Sequence, residues 1–128
     1  MMGNSTEDDS LLRPFIDRIR RENEIESEQV ADLHVEAFEE AKRLGIKMGR
    51  ADPSLRKVVL FGSALPDRDF RSDSDIDLAI VGGDRAGLER IAAASPFSVD
   101  ILELEAARAG IRKTIEEEGV VVYAQTQD

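Results

Sequence analysis

Apolar positions along the chain follow two periods, and the change from one to the other divides it. Leu11, Leu12, Phe15, Ile16 and Ile19 recur at helical spacing behind a capping Ser10, with Pro14 near the first turn, where its missing amide costs least. Arg20 to Glu28 is almost wholly charged or polar and reads as a connection or a solvated continuation of the helix. A second helix is predicted from about Ser27 to Met48, with Val30, Leu33, Ala37, Ala41 and Leu44 on one face and Gly45 and Gly49 weakening its end. After the turn Ala51-Asp52-Pro53-Ser54 the pattern becomes β-branched. Leu55 to Phe61 reads as a buried strand breaking at Gly62-Ser63, and Asp75 to Val81 as a second strand closed by Gly82-Gly83. A helix capped by Asp84 should run to about Ala94. A strand over Phe97 to Leu104 should place Val99 and Ile101 on one face and Ser98, Asp100 and Leu102 on the other. A helix over Glu105 to Glu118, capped by Gly119, and a short strand Val120 to Ala124 complete the chain.

Strands alternating with helices predict an α/β (α+β) layer: a small mixed sheet flanked by helices, with an N-terminal helical extension. The division expected is a disordered tail over 1–9, the extension over 10–50, packed on the core or on a partner, and a core over 51–128. The eleven residues Ala64 to Ser74, between the first two strands, are a loop and a lid candidate.

Composition narrows the function. The chain of 128 residues has no cysteine and one histidine, which excludes disulfides, thiolate metal sites and histidine-rich ones. Its formal net charge of −10 argues against tracking nucleic-acid phosphates by bulk electrostatics. No stretch approaches the roughly 20 apolar residues of a membrane span, and the polar, acidic N-terminus has no signal core. The expectation is a soluble cytoplasmic protein without a membrane partner.

The chemistry gathers on the carboxylates. Asp75 and Asp77 stand at i and i+2 on a strand, so they share a face, roughly 6–7 Å apart. Asp100 breaks an otherwise apolar face of the third strand. Such a trio in one pocket requires cations, because like charges repel and a desolvated carboxylate must be paired. Mg²⁺ suits hard oxygen ligands and completes its shell with substrate phosphates, and two such ions can clamp the attacking and leaving oxygens of an in-line displacement. Gly62-Ser63 would face its backbone amides to an anion. Asp67, Asp69 and Asp73 read as solvated loop acids, His34 as a packing or surface residue beside the Leu33 stripe, and Tyr123 as structural. The run Glu116-Glu117-Glu118 ends a helix against its dipole, which reads first as a solvated end and only mildly as a sign of a cationic neighbour.

Taken together, Leu60-Phe61-Gly62-Ser63, the eleven-residue gap, Ser72-Asp73-Ser74-Asp75-Ile76-Asp77-Leu78, Ser98-Val99-Asp100-Ile101 and Glu118-Gly119-Val120-Val121-Val122-Tyr123 resemble the DNA polymerase β-like nucleotidyltransferases, and more closely the minimal nucleotidyltransferases (MNT). The resemblance covers about Leu55 to Ala124. It implies the nucleotidyltransferase fold, magnesium held by Asp75, Asp77 and Asp100 as the catalytic acids, and the phosphate tail of an NTP, ATP above others, on Gly62 and Ser63. It also implies a HEPN-family protein partner in a toxin–antitoxin pair, silenced by AMP transfer to a tyrosine hydroxyl. Where the family's loop often continues from Gly-Ser with arginine, a small residue, arginine and glycine, this chain has Ala64-Leu65-Pro66-Asp67, and Arg68 or Arg71 could substitute only if the loop folds back.

Two functions follow from different classes. One is a magnesium-dependent nucleotidyltransferase with a hydroxyl acceptor on a protein. The other is a catalytically weak or inactive module of the same fold that neutralises its partner by binding. The intact acidic trio favours the first and the altered loop the second; a small-molecule acceptor and a nucleic-acid substrate fit a chain this short less well, and a homo-oligomer is compatible with either.

Overall fold

In the computed structural model of the protein, the backbone is described for residues 13–126 and side chains for 31–126. The expected tail over 1–9, the Ser10 cap and the apolar face of Leu11, Phe15 and Ile19 lie outside those residues. One helix, α1 (Arg13–Ala51), runs through Arg20 to Glu28, so of the two expectations for that segment the helical continuation holds and the connection does not. Charge does not break a helix: Arg and Glu are good helix formers, and that segment holds no glycine or proline.

The sheet consists of β1 (Leu55–Phe61), β2 (Ile76–Gly82), β3 (Val99–Glu103) and β4 (Val120–Ala124) in the order β3-β2-β1-β4. β1 is antiparallel to both β2 and β4, while β2 and β3 are parallel, so the sheet is mixed as predicted. The parallel pair requires a crossover, supplied by α2 (Arg85–Ala93). Asp84 occupies the N-cap position of α2 as expected, although its side chain makes no capping bond.

The two faces of the sheet bury different helices. Ala37, Ala41, Leu44 and Met48 of α1 and Leu88 and Ala92 of α2 form one core with Val58, Leu60, Ile76, Leu78, Ile80 and Ile101. On the other face Val59, Ala79, Leu104 and Ile115 form a smaller one, with Phe61, Val81 and Leu102 partly buried against it. Here α3 (Ala109–Glu118) is shorter than predicted, because a 3₁₀ turn over Leu104–Ala106 and an extended Arg108 precede it. Only Ile115 of α3 is buried; Ile111 stays about half exposed. Gly119 ends α3 as expected, its N–H bonded to the Ile115 carbonyl at 2.8 Å, but with φ −69° it needs no left-handed conformation.

Gly45 and Gly49 do not weaken the end of α1, which continues to Ala51. They lie against β4, and a Cβ on Gly49 would overlap the Tyr123 ring. The glycines let the helix backbone approach the edge strand, while Met48 and Leu44 fill the space beside it. No described helix is long and apolar enough to cross a membrane.

Candidate functional site

The strand register sets three elements of the site in a row. Phe61 at the end of β1 is opposite Asp77 of β2, and Asp77 is opposite Asp100 of β3. Alternation puts Asp77 on the face of Ala79, the smaller-core side. Asp75 directly precedes β2, partly exposed, while Asp100 is exposed on the outer strand. Three carboxylates with 24 residues of chain between the first and the last are thus brought to one end of the sheet by parallel pairing.

Asp77 carries the electrostatic consequence. Its carboxyl is pushed up to about 6, first by burial, then by the charges of Asp100 and Asp75. Among the described residues no cationic side chain makes an ion pair with these carboxylates. Among the described residues no three His, Cys, Asp or Glu side chains close into a ready metal cage. The donor set nonetheless fits magnesium, which binds through one or two carboxylates and takes its remaining oxygens from water and phosphate, and a cation is the partner that three adjacent carboxylates lack.

Gly62 and Ser63 open a 3₁₀ turn, Gly62–Ala64, closed by the Leu65 N–H on the Gly62 carbonyl at 3.2 Å. Gly62 has φ +78°, and a Cβ there would overlap the Asp77 carboxylate. Conformation and space both require glycine, and they fix the turn against Asp77. The Gly-Ser turn and the acids predicted from sequence are therefore neighbours.

The following loop is not a free lid. Ala64, Leu65 and Phe70 are buried in the larger core, and Phe70 meets Phe97 edge-on with ring centroids 5.9 Å apart. Turns held by Arg68 N–H to the Leu65 carbonyl (3.0 Å) and Ser74 N–H to the Arg71 carbonyl (2.9 Å) leave only the Pro66–Asp69 and Arg71–Asp73 stretches exposed. Arg68 pairs with Glu118 at the end of α3 and, at 3.6 Å, with Asp67. The acidic end of α3 is exposed, as expected of a solvated end, and Glu118 there also has the cationic neighbour Arg68. Neither Arg68 nor Arg71 makes an ion pair with the site acids among the described residues.

Sequence reasoning missed two polar groups. His34 Nε2 lies 2.7 Å from the Leu65 carbonyl and 3.1 Å from that of Ala64, so the histidine is more than packing. Glu40, about one-tenth exposed, takes two bonds from Arg43 at 2.7 Å and one from Ser95 at 2.5 Å, tying α1 to the turn after α2. Its carboxyl is held below the ordinary value chiefly by the Arg43 hydrogen bond. Both stand three or four residues from buried α1 positions, and a polar residue on an apolar stripe signals a partner elsewhere. A cavity of about 390 Å³ lined by Asp52, Asp84, Leu88 and Ile91 lies at the opposite end of the strands, away from these groups.

Residues 46–128 match the family described as "Polymerase beta, Nucleotidyltransferase". No curated protein matches the chain. Among solved structures, a toxin–antitoxin complex with AMP-PNP aligns at a TM-score of 0.55 and 27% identity, over 66% of this chain and 73% of that one. A MntA-HpeT toxin–antitoxin mutant, with glutamate for aspartate at two positions two residues apart, aligns at 0.55 and 25%, with the same coverage. A tri-AMPylated Shewanella oneidensis HEPN toxin in complex with MNT antitoxin aligns at 0.50 and 25%, over 69% and 73%. With its mixed four-stranded sheet, its glycine turn against a paired carboxylate and the family match over most of its length, the chain belongs to the polymerase β nucleotidyltransferases, in their minimal form.

Proposed function

We propose that the protein transfers AMP from ATP to a hydroxyl group on a HEPN-family partner, a tyrosine hydroxyl above others, and acts as its antitoxin. The observation that carries this is the row Phe61–Asp77–Asp100 with Gly62 pressed against the Asp77 carboxylate, which gathers the Gly-Ser turn and the acids at one strand end. The resemblance to complexes containing a HEPN toxin, and to one with AMP-PNP, supports the partner and the nucleotide.

Asp75, Asp77 and Asp100 would hold magnesium, which when bound supplies Lewis-acid stabilisation of charge on the phosphoryl oxygens, with two ions expected around the nucleotide. Gly62 and Ser63 would orient the triphosphate through their amides. The acceptor oxygen attacks the α-phosphorus, forming a P–O bond as the bond to the β-phosphate breaks; pyrophosphate departs with the electron pair. Asp100, exposed at the mouth, would take the hydroxyl proton and pass it to water.

A second reading, neutralisation by binding without transfer, is favoured by one observation: Arg68 is engaged by Glu118, and positions 64–67 supply no guanidinium to a triphosphate. The test is transfer of labelled AMP from ATP with Mg²⁺ to the HEPN partner. Label on the partner that disappears with Asp75→Asn/Asp77→Asn is the expected result. A complex that forms unchanged without label would replace transfer by occlusion.

A further inference from the structure

The contact of α1 with the Gly-Ser loop reaches beyond packing. His34 Nε2 faces two carbonyl oxygens, those of Leu65 at 2.7 Å and Ala64 at 3.1 Å. Carbonyls only accept, so Nε2 carries the hydrogen and donates it to both. The imidazole stacks on Phe70, centroids 6.4 Å apart and planes 23° from parallel, and Phe70 is buried, so the ring has little freedom to turn away. The two carbonyls belong to the two residues that follow Gly62-Ser63 directly, and the Leu65 N–H closes back on the Gly62 carbonyl. On the other side Gly62 lies against Asp77. His34 and Asp77 therefore bracket the same short turn.

We infer that His34 is a positioning residue for the Gly62-Ser63 turn, setting from α1 the direction in which that turn presents its amides to the nucleotide phosphates. The inference rests on the nucleotide reading above and adds a residue outside the family match over 46–128. The loop's attachment to the core is secured separately by the buried Leu65 and Phe70. Loss of the imidazole donor leaves the loop attached but frees the two carbonyls, and a small misorientation of a phosphate-binding backbone weakens binding more than it weakens the fold.

The experiment is titration of the full chain with ATP and Mg²⁺, together with amide hydrogen exchange at Ser63 to Leu65 without ligand. His34→Ala is expected to weaken binding roughly five- to tenfold, the loss of one shared hydrogen bond, and to speed exchange in the turn. His34→Gln, which restores an N–H donor, should recover most of the affinity. Glu40→Gln, which loosens α1 from Ser95 instead, should leave affinity at the wild-type value. Wild-type affinity and exchange in His34→Ala, with binding lost in Asp77→Asn, would overturn the positioning role while sparing the nucleotide reading. An equal loss in Glu40→Gln would also overturn it, as general loosening of α1. Absence of binding by the wild-type chain would overturn both readings together.

Discussion

Asp77 has opposite meanings for stability and for function. Its carboxyl titrates at about 6 in the folded chain, against an ordinary 3.8, because burial and two neighbouring carboxylates penalise the charged form. A raised carboxyl value means stability fully present below about pH 4 and lost as pH rises through 6. The ionised group costs about 1 kcal/mol at pH 7, a figure reduced for a side chain half in solvent and screened there. Asp77→Asn should therefore melt a few degrees above wild type at pH 7.5 in chelator, with the gap closing at pH 4; calorimetric melts across that range check it. A gap of constant size would assign the effect to packing. Such strain at a carboxylate is expected where charge is kept for a ligand. Legibility differs among these residues. Asp75, Asp77, Asp100, Gly62 and Ser63 stand out because acids and glycine at buried strand ends violate local pattern. His34 stands out less, since a single polar residue on a helix stripe signals that a partner exists and only the carbonyls opposite it say which.

Among the elements, α1 shows how helix and sheet specify one another. Gly49 allows the helix to contact Tyr123 of β4, and the same sequence feature reads as a helix end when the strand is not in view. Gly49→Ala raises helix propensity yet should destabilise the protein by about 1–3 kcal/mol through overlap with the ring. Tyr123→Leu in the same chain should remove most of that cost, and denaturant unfolding of the four variants measures the coupling. Additive effects would show that the helix simply shifts. The loop after Ser63 teaches the converse. Its polar run reads as a mobile lid, but Leu65 and Phe70 are its only large apolar groups and both are buried, so two anchors outweigh nine exposed or small neighbours.

At the scale of the whole molecule, the family match begins at residue 46, while Ala37, Ala41 and Leu44, at zero exposure, lie before it. We expect a fragment covering 46–128 to lose cooperative thermal unfolding, because removing these side chains uncovers the larger-core face of a four-stranded sheet. Circular dichroism melts of the fragment and the full chain decide this. A cooperative transition in the fragment would make the N-terminal helix an accessory. The net charge of −10 belongs to this scale too, and it places the site acids in a molecule whose summed field repels free triphosphate, so binding should be sensitive to magnesium and ionic strength.

The sequence by itself determined the periods, and with them the strands, most of the helix positions and the acids at strand ends, because side-chain alternation and backbone sterics act over a few residues. Its motifs, taken jointly from Leu60 to Tyr123, also carried the family. The tertiary structure alone decided that α1 lies on β4, that Asp77 and Asp100 are cross-strand neighbours, that Arg68 turns to Glu118, and that His34 holds the turn beside the acids. Those facts depend on which surfaces meet across 23 to 77 residues of chain, where burial and charge pairing select among arrangements that local pattern leaves equal.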